Sequence, residues 1–129
     1  MKKIPNSKIL IDTDIIIDHL RGIGNFLDII KGNTYVSYIS VISIAEIYSF
    51  LFSHEYEIVE KLLGEMIVIN VDSNIAKFAG SYRMKYLKSH SITIADALIA
   101  SSAKFNDATL ITRNIKHYPM EDIKKVKPY

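Results

Sequence analysis

The feature that most constrains this chain is an alternation. Short apolar runs rich in strand-forming residues are separated by segments with helical spacing. Lys8-Ile9-Leu10-Ile11, Tyr35-Val36 within Thr34–Ser37, Met66–Val71 and Thr109-Leu110-Ile111-Thr112 read as strands, and Ile123–Val126 offers a short fifth. The first lacks any polar alternation, as expected of a strand buried on both faces. Between the runs, apolar residues recur at helical spacing from Ile15 to Arg21, around Phe26–Ile30, and through Ala45, Glu46 and Leu51. The pattern returns from Glu55 to Leu63, with Ile58, Val59, Leu62 and Leu63 on one side, from Asp72 to about Leu87, and from Thr93 to Asn106. Lys88-Ser89-His90-Ser91 reads as a polar loop, and Ser40 or Ser43, Asp72 or Ser73, and Thr93 are the candidate helix caps. Strands joined through helices must cross over, which builds a parallel sheet between helical layers. The expected fold is α/β, with a mainly parallel central sheet of four or five strands, in a single domain over residues 1–129.

Composition narrows the function classes. With 49% hydrophobic residues, 23% charged, 5 Gly and 3 Pro, the chain is neither fibrous nor disordered. It has no cysteine, which excludes disulfides, thiolate-bound zinc, iron–sulfur clusters and a cysteine nucleophile. That absence fits a reducing cytoplasm. The apolar runs around Ile9–Ile17 and Val41–Phe52 are interrupted by Asp or Glu, so no membrane span is expected. The four histidines are not at metal-ligand spacing. A net charge of +2 permits nucleic-acid binding without arguing for it.

The chemistry lies in the acids. In an open parallel sheet the strand C-termini and the following helix N-termini share one edge, where ligands bind. Asp12 and Asp14 follow the first strand, Glu46 lies in the first turns after the second, Asp96 starts a helix, and Thr112 and Asn114 follow the fourth strand. Carboxylates gathered there repel one another, and a hard divalent cation relieves that repulsion. Such a cation can activate water against a phosphodiester. Each acid also has a purely structural role open to it. Ser43-x-x-Glu46 and Thr93-x-x-Asp96 match the capping-box pattern, and Asp12 can cap the first helix. Against that role, Glu46 and Asp96 stand among Ile42, Ile44, Ile92 and Ile94, where an acid faces a pocket or a burial penalty.

These same residues resemble a known family. Ile9-Leu10-Ile11-Asp12-Thr13-Asp14-Ile15-Ile16-Ile17-Asp18 is similar to the opening motif of PIN-domain nucleases, and Ile39–Ile47 to their second motif. Ile94–Ala100 resembles the third, and Thr109–Asn114 the fourth, with Lys116-His117-Tyr118 completing the segment. The four occur in order over nearly the whole chain, and the short length resembles the VapC toxins of type II toxin–antitoxin pairs. The resemblance implies an α/β/α sandwich, Mg²⁺ or Mn²⁺, endonucleolytic RNA cleavage, a VapB-like antitoxin, and a homodimer. It carries Asp12, Glu46 and Asp96 onto the metal-binding positions. The fourth position, often acidic, is Asn114 here, able to offer a carbonyl oxygen or hold a water, so one metal is expected more than two.

Thr112 and Arg113 are candidate contacts to substrate phosphate or water, and Asp14 a helix cap, an extra ligand or a partner of one. Asp18 reads as a surface residue. Tyr35, Tyr38, Tyr48 and Tyr56 can stack bases or pack in the core. Lys85, Lys88, His90, Lys104, Arg113, Lys116 and His117 can border an RNA groove or form an ordinary wet face. Three rivals stand beside the toxin reading. A housekeeping RNA-processing nuclease would share the site, and a degenerate scaffold would not keep all three acids. A receiver-like regulatory module would need a late lysine that the Thr112-Arg113-Asn114 strand end lacks.

Overall fold

The structure, a computed structural model, describes residues 4, 7–32 and 34–129. Five parallel strands form one sheet in the order β3-β2-β1-β4-β5. They are β1 (Lys8–Ile11), β2 (Val36–Ser40), β3 (Ile67–Ile69), β4 (Thr109–Ile111) and β5 (Lys125–Val126). The chain runs outward from β1 to β2 and β3, then returns to add β4 on the other side of β1. Ile9, Leu10 and Ile11 pair with Thr109, Leu110 and Ile111 on β4, while Lys8, Ile9 and Leu10 pair with Val36, Ser37 and Tyr38 on β2. The reversal of direction between β1 and β4 is the topological switch point, where open α/β sheets form their ligand crevice.

Side-chain alternation sorts the core into two layers. Ile9, Ile11, Ile39 and Ile111 face α1 (Thr13–Leu20), α2 (Phe26–Ile30), α3 (Val41–Phe50) and α4 (Tyr56–Gly64). Leu10 and Leu110 face the opposite layer, built from α5 (Ser73–His90) and α6 (Ile94–Phe105). Each fully buried Ile or Leu contributes roughly 1.5–3 kcal/mol. The expected three-layer sandwich is therefore present, with all strand pairings parallel.

Local chemistry adjusts several boundaries. β2 lies further along than expected and runs straight into α3, whose cap is Ser40 accepting from the Ile42 amide at 3.1 Å. β3 is confined to Ile67–Ile69, and β5 to Lys125–Val126, with Ile123 buried in the α5–α6 layer. The expected loop at Lys88–His90 is instead the last turn of α5, which ends at Ser91 with φ 50°. A cation is favoured near a helix C-terminus, so Lys88 suits the last turn of α5. Ile58 is 54% exposed, outside the buried stripe formed by Val59 and Leu62. Among the described residues, no helix is long and apolar enough to cross a membrane.

Candidate active site

Strand β1 delivers Asp12 to the sheet edge, and the fold then encloses it. Its backbone N–H donates to Ile111 of β4 at 2.9 Å. Its carboxylate caps α1, with Oδ1 accepting from the Thr13 amide at 2.8 Å. Oδ2 accepts from the hydroxyls of Thr112 at 2.8 Å and Tyr118 at 2.9 Å. Capping and site membership thus coincide at this residue. Only 6% of Asp12 is exposed. Burial first, and then the charge of Asp14, raise its carboxyl from 3.8 to about 7, against the lowering effect of its three hydrogen bonds.

Asp14, in the first turn of α1, fills the fourth corner. Its Oδ2 accepts from the Arg113 amide and from Asn114 Nδ2, each at 3.0 Å. Its Oδ1 is buried and unpartnered. Burial is also the main cause that raises its pKa. Asn114 therefore orients an acid through its amide nitrogen, and a carboxylate from α1 stands beside it at that corner. Thr112, the candidate phosphate or water contact, is fully buried, and its hydroxyl donates to Asp12 Oδ2 and orders that acid. Its position just past the buried strand β4 turns its hydroxyl inward.

Glu46 lies more than a turn inside α3 and caps nothing. Ser40 takes that role, and Glu46 Oε1 accepts from Thr13 Oγ1 at 2.7 Å. Thr93 caps α6 by accepting from the Asp96 amide at 3.0 Å. The Asp96 carboxylate turns to the pocket, where Oδ1 accepts from Tyr118 at 3.3 Å and Oδ2 stands 3.8 Å from His117 Nδ1. Asp12, Asp14, Glu46, Asp96 and Asn114 all line one pocket of about 310 Å³. They form its walls: among the described residues no three His, Asp or Glu side chains are gathered closely enough to hold an ion between them. The donors are nonetheless of one kind, carboxylate and amide oxygens suited to a hard cation. The unpartnered Asp14 Oδ1 and the raised Asp12 carboxyl mark a site with surplus negative charge.

Arg113 and His117 line the same pocket, whereas Lys104 pairs elsewhere with Asp122. Asp18 is not a surface residue: it is 4% exposed and accepts from Arg113 Nη1 at 3.1 Å and from the Tyr129 hydroxyl at 2.6 Å. Tyr129 in turn lies against Gly24, whose φ of +69° and absent Cβ leave room for the ring. Tyr48 and Tyr56 pack edge to face with ring centroids 5.8 Å apart, away from the pocket. Sequence reading gave no site role to Tyr118 or Asp18, and missed the apolar rim made by Ile17 and Phe50.

Comparison with known proteins agrees with this geometry. The model of the PIN domain family matches residues 9–122. Ribonuclease VapC10 of Mycobacterium tuberculosis is 35% identical over 123 residues, covering 93% of this chain and 91% of the relative. Ribonuclease VapC19 of the same organism is 30% identical over 116 residues, covering 86% and 92%. A toxin–antitoxin complex from Klebsiella pneumoniae contains a chain of the same fold, with a TM-score of 0.77 at 24% identity, over 94% of this chain and 98% of that one. From strand order, acid-lined crevice and sequence alike, the chain belongs to the PIN domain family and stands within it beside the VapC ribonucleases.

Proposed function

We propose that this chain is a divalent-metal-dependent endoribonuclease that hydrolyses RNA phosphodiester bonds and serves as the toxin of a toxin–antitoxin pair. The observation that carries the reading is the acid-lined pocket at the β1–β4 switch point, on a chain 35% identical to a named ribonuclease. Asp12, Glu46 and Asp96 are the residues that would hold Mg²⁺ or Mn²⁺, with Asp14 as a fourth carboxylate oriented by Asn114. They would do so in part through the waters such a cation keeps, since the carboxylates do not converge closely enough to hold it by themselves. When bound, the cation supplies positive charge that lowers the pKa of water and offsets charge building on the phosphate.

The chain's own residues do the rest. Thr112, Tyr118 and the Thr13 amide fix the Asp12 carboxylate. Thr13 steadies Glu46. Arg113, 42% exposed at its side chain and aligned by Asp18, is the group that meets the RNA phosphate. His117, 60% exposed beside Asp96, adds a second contact to the backbone. The chain acts as a single nuclease domain in the cytoplasm. A VapB-like antitoxin is its partner, consistent with the toxin–antitoxin complex of matching fold. A homodimer has apolar area available at Met84 and Leu87 on α5 and Ile94 on α6.

The test is cleavage of a total-RNA substrate with Mg²⁺ by the wild type, Asp96→Asn and Glu46→Gln. Both variants are expected to lose at least about 100-fold in rate while keeping wild-type circular dichroism. Full activity in both folded variants would refute the site. A short reading frame beside the gene whose product copurifies with this chain and silences it supports the toxin role, and its absence favours a housekeeping nuclease.

A further inference from the structure

We propose that Tyr118 is a positioning residue that sets the separation of Asp12 and Asp96 before a metal arrives, so that its hydroxyl governs metal affinity. The proposal rests on the metal reading above. Tyr118 is 1% exposed, and its ring belongs to the α5–α6 core layer, with Met120 and Ile123 in the same cluster. Its hydroxyl lies 2.9 Å from Asp12 Oδ2 and 3.3 Å from Asp96 Oδ1. Those carboxylates come from two different elements, one ending β1 and the other opening α6. A buried phenol needs one partner. This one sits between two, both candidate ligands.

The loop that carries Tyr118 is itself fixed. The Tyr118 N–H donates to Ile115 at 3.0 Å. Lys125 of β5 reaches across with Nζ to donate to the carbonyls of Tyr118 at 2.6 Å and Met120 at 2.7 Å. The ring therefore cannot follow the carboxylates, and they are held relative to it. A hydroxyl has one proton, so it can donate to only one of the two carboxylates at a time. The second meets a lone pair and the charge of its neighbour, a frustration that positive charge in the pocket relieves. Lone-pair counting allows this. Asp12 Oδ2 is filled by Thr112 and Tyr118, while Oδ1 accepts only the Thr13 amide and keeps one lone pair. The hydroxyl thus leaves a lone pair on Asp12 Oδ1 and does not engage Asp96 Oδ2, which stands 3.8 Å from His117 Nδ1, while fixing the orientation of both acids.

The experiment titrates Mn²⁺ into metal-free wild type, Tyr118→Phe and Lys125→Met, reading free Mn²⁺ by electron paramagnetic resonance and tyrosine by near-ultraviolet difference absorbance. Tyr118→Phe should weaken Mn²⁺ binding by about 10–100-fold, the usual effect of removing a group that orients a ligand. Lys125→Met, outside the pocket, should weaken it less and in the same direction. The tyrosine difference signal that Mn²⁺ induces in the wild type should vanish in Tyr118→Phe. Wild-type affinity in folded Tyr118→Phe overturns the proposal and leaves the metal site standing. Should that variant not fold, unchanged affinity in Lys125→Met overturns it equally. If the wild type itself binds no Mn²⁺, both the metal reading and this proposal fall.

Discussion

Replacing Asp12 by asparagine should change how stability depends on pH, and the structure supplies the size of the effect. In the folded chain the Asp12 carboxyl is raised from 3.8 to about 7, by burial and then by Asp14. Unfolding returns it to water and to its ordinary value. Between about pH 4 and pH 7 the metal-free folded state therefore holds a proton that the unfolded state has released. Stability from this group is present at low pH, falls as pH rises through that window, and is lost above pH 7. A rise of this size corresponds to about 4 kcal/mol at 1.36 kcal/mol per pH unit. Asp14, also raised mainly by burial, acts in the same direction. The asparagine side chain is nearly isosteric and does not titrate, so the stability of Asp12→Asn minus that of the wild type isolates the one group. Urea denaturation in the presence of a chelator, at intervals from pH 4.5 to 8, measures it. The difference should climb by about 3–4 kcal/mol in favour of the Asp12→Asn variant across the range, and saturating Mg²⁺ should reduce the wild type's penalty at pH 8. A difference that stays flat would refute the claim that burial and a neighbouring acid load this carboxyl with unfavourable free energy.

Three further substitutions probe the scaffold of the pocket. Gly24→Ala would put a Cβ 2.5 Å from Cε1 of Tyr129 on a backbone with φ +69°. A loss of at least about 1–2 kcal/mol in denaturant stability is expected, and none would mean that Tyr129 does not lie there. Arg21→Ala strips the ion-pair partner from Glu55, which is 4% exposed and closes the turn after α3 by accepting from the Phe52 amide at 2.9 Å. Because Arg21 keeps some contact with water, roughly 2–3 kcal/mol is expected, and Glu55→Gln combined with it should recover part. Arg113→Ala should lower the slope of log binding constant against log salt for single-stranded RNA by about 0.7, as for one lost phosphate contact. An unchanged slope would remove Arg113 from the RNA path.

How much of this was legible beforehand depended on the range of the interactions. The run Lys8–Ile11 betrayed its burial locally, and the alternation of strand and helix carried the topology, so Asp12, Glu46, Asp96 and Asn114 could be brought to one edge from sequence order. What each acid does there could not be read in the same way. Ser43-x-x-Glu46 has the spacing of a cap, yet Ser40 at the end of β2 caps α3 three residues earlier, which leaves Glu46 inside the helix and facing the pocket. Asp18 is one helical turn past Asp14 and looks solvated, but its partners Arg113 and Tyr129 lie 95 and 111 positions away. Tyr118 meets Asp12 across 106 positions. Local spacing carries no trace of such contacts. Asn114, expected at the fourth corner, is engaged through its amide nitrogen by an acid 100 positions away, a contact that local spacing likewise does not show.

The central place of β1 in the sheet carries a cost of its own. Strands flanked on both sides exchange their amide hydrogens only through the largest openings of a protein, whereas frayed edges open freely. Asp12 is mounted at the end of the strand held between β2 and β4, with its own amide bonded to Ile111. Small local openings that expose β5 or β3 would leave its electrostatic burden in place. Above pH 7, where the carboxyl is ionised, global unfolding or a bound cation relieves it, so the burden acts on the folding equilibrium of the whole molecule. Hydrogen exchange at Leu10 and Ile11 should accordingly slow as metal is added, far more than exchange along the β3 edge.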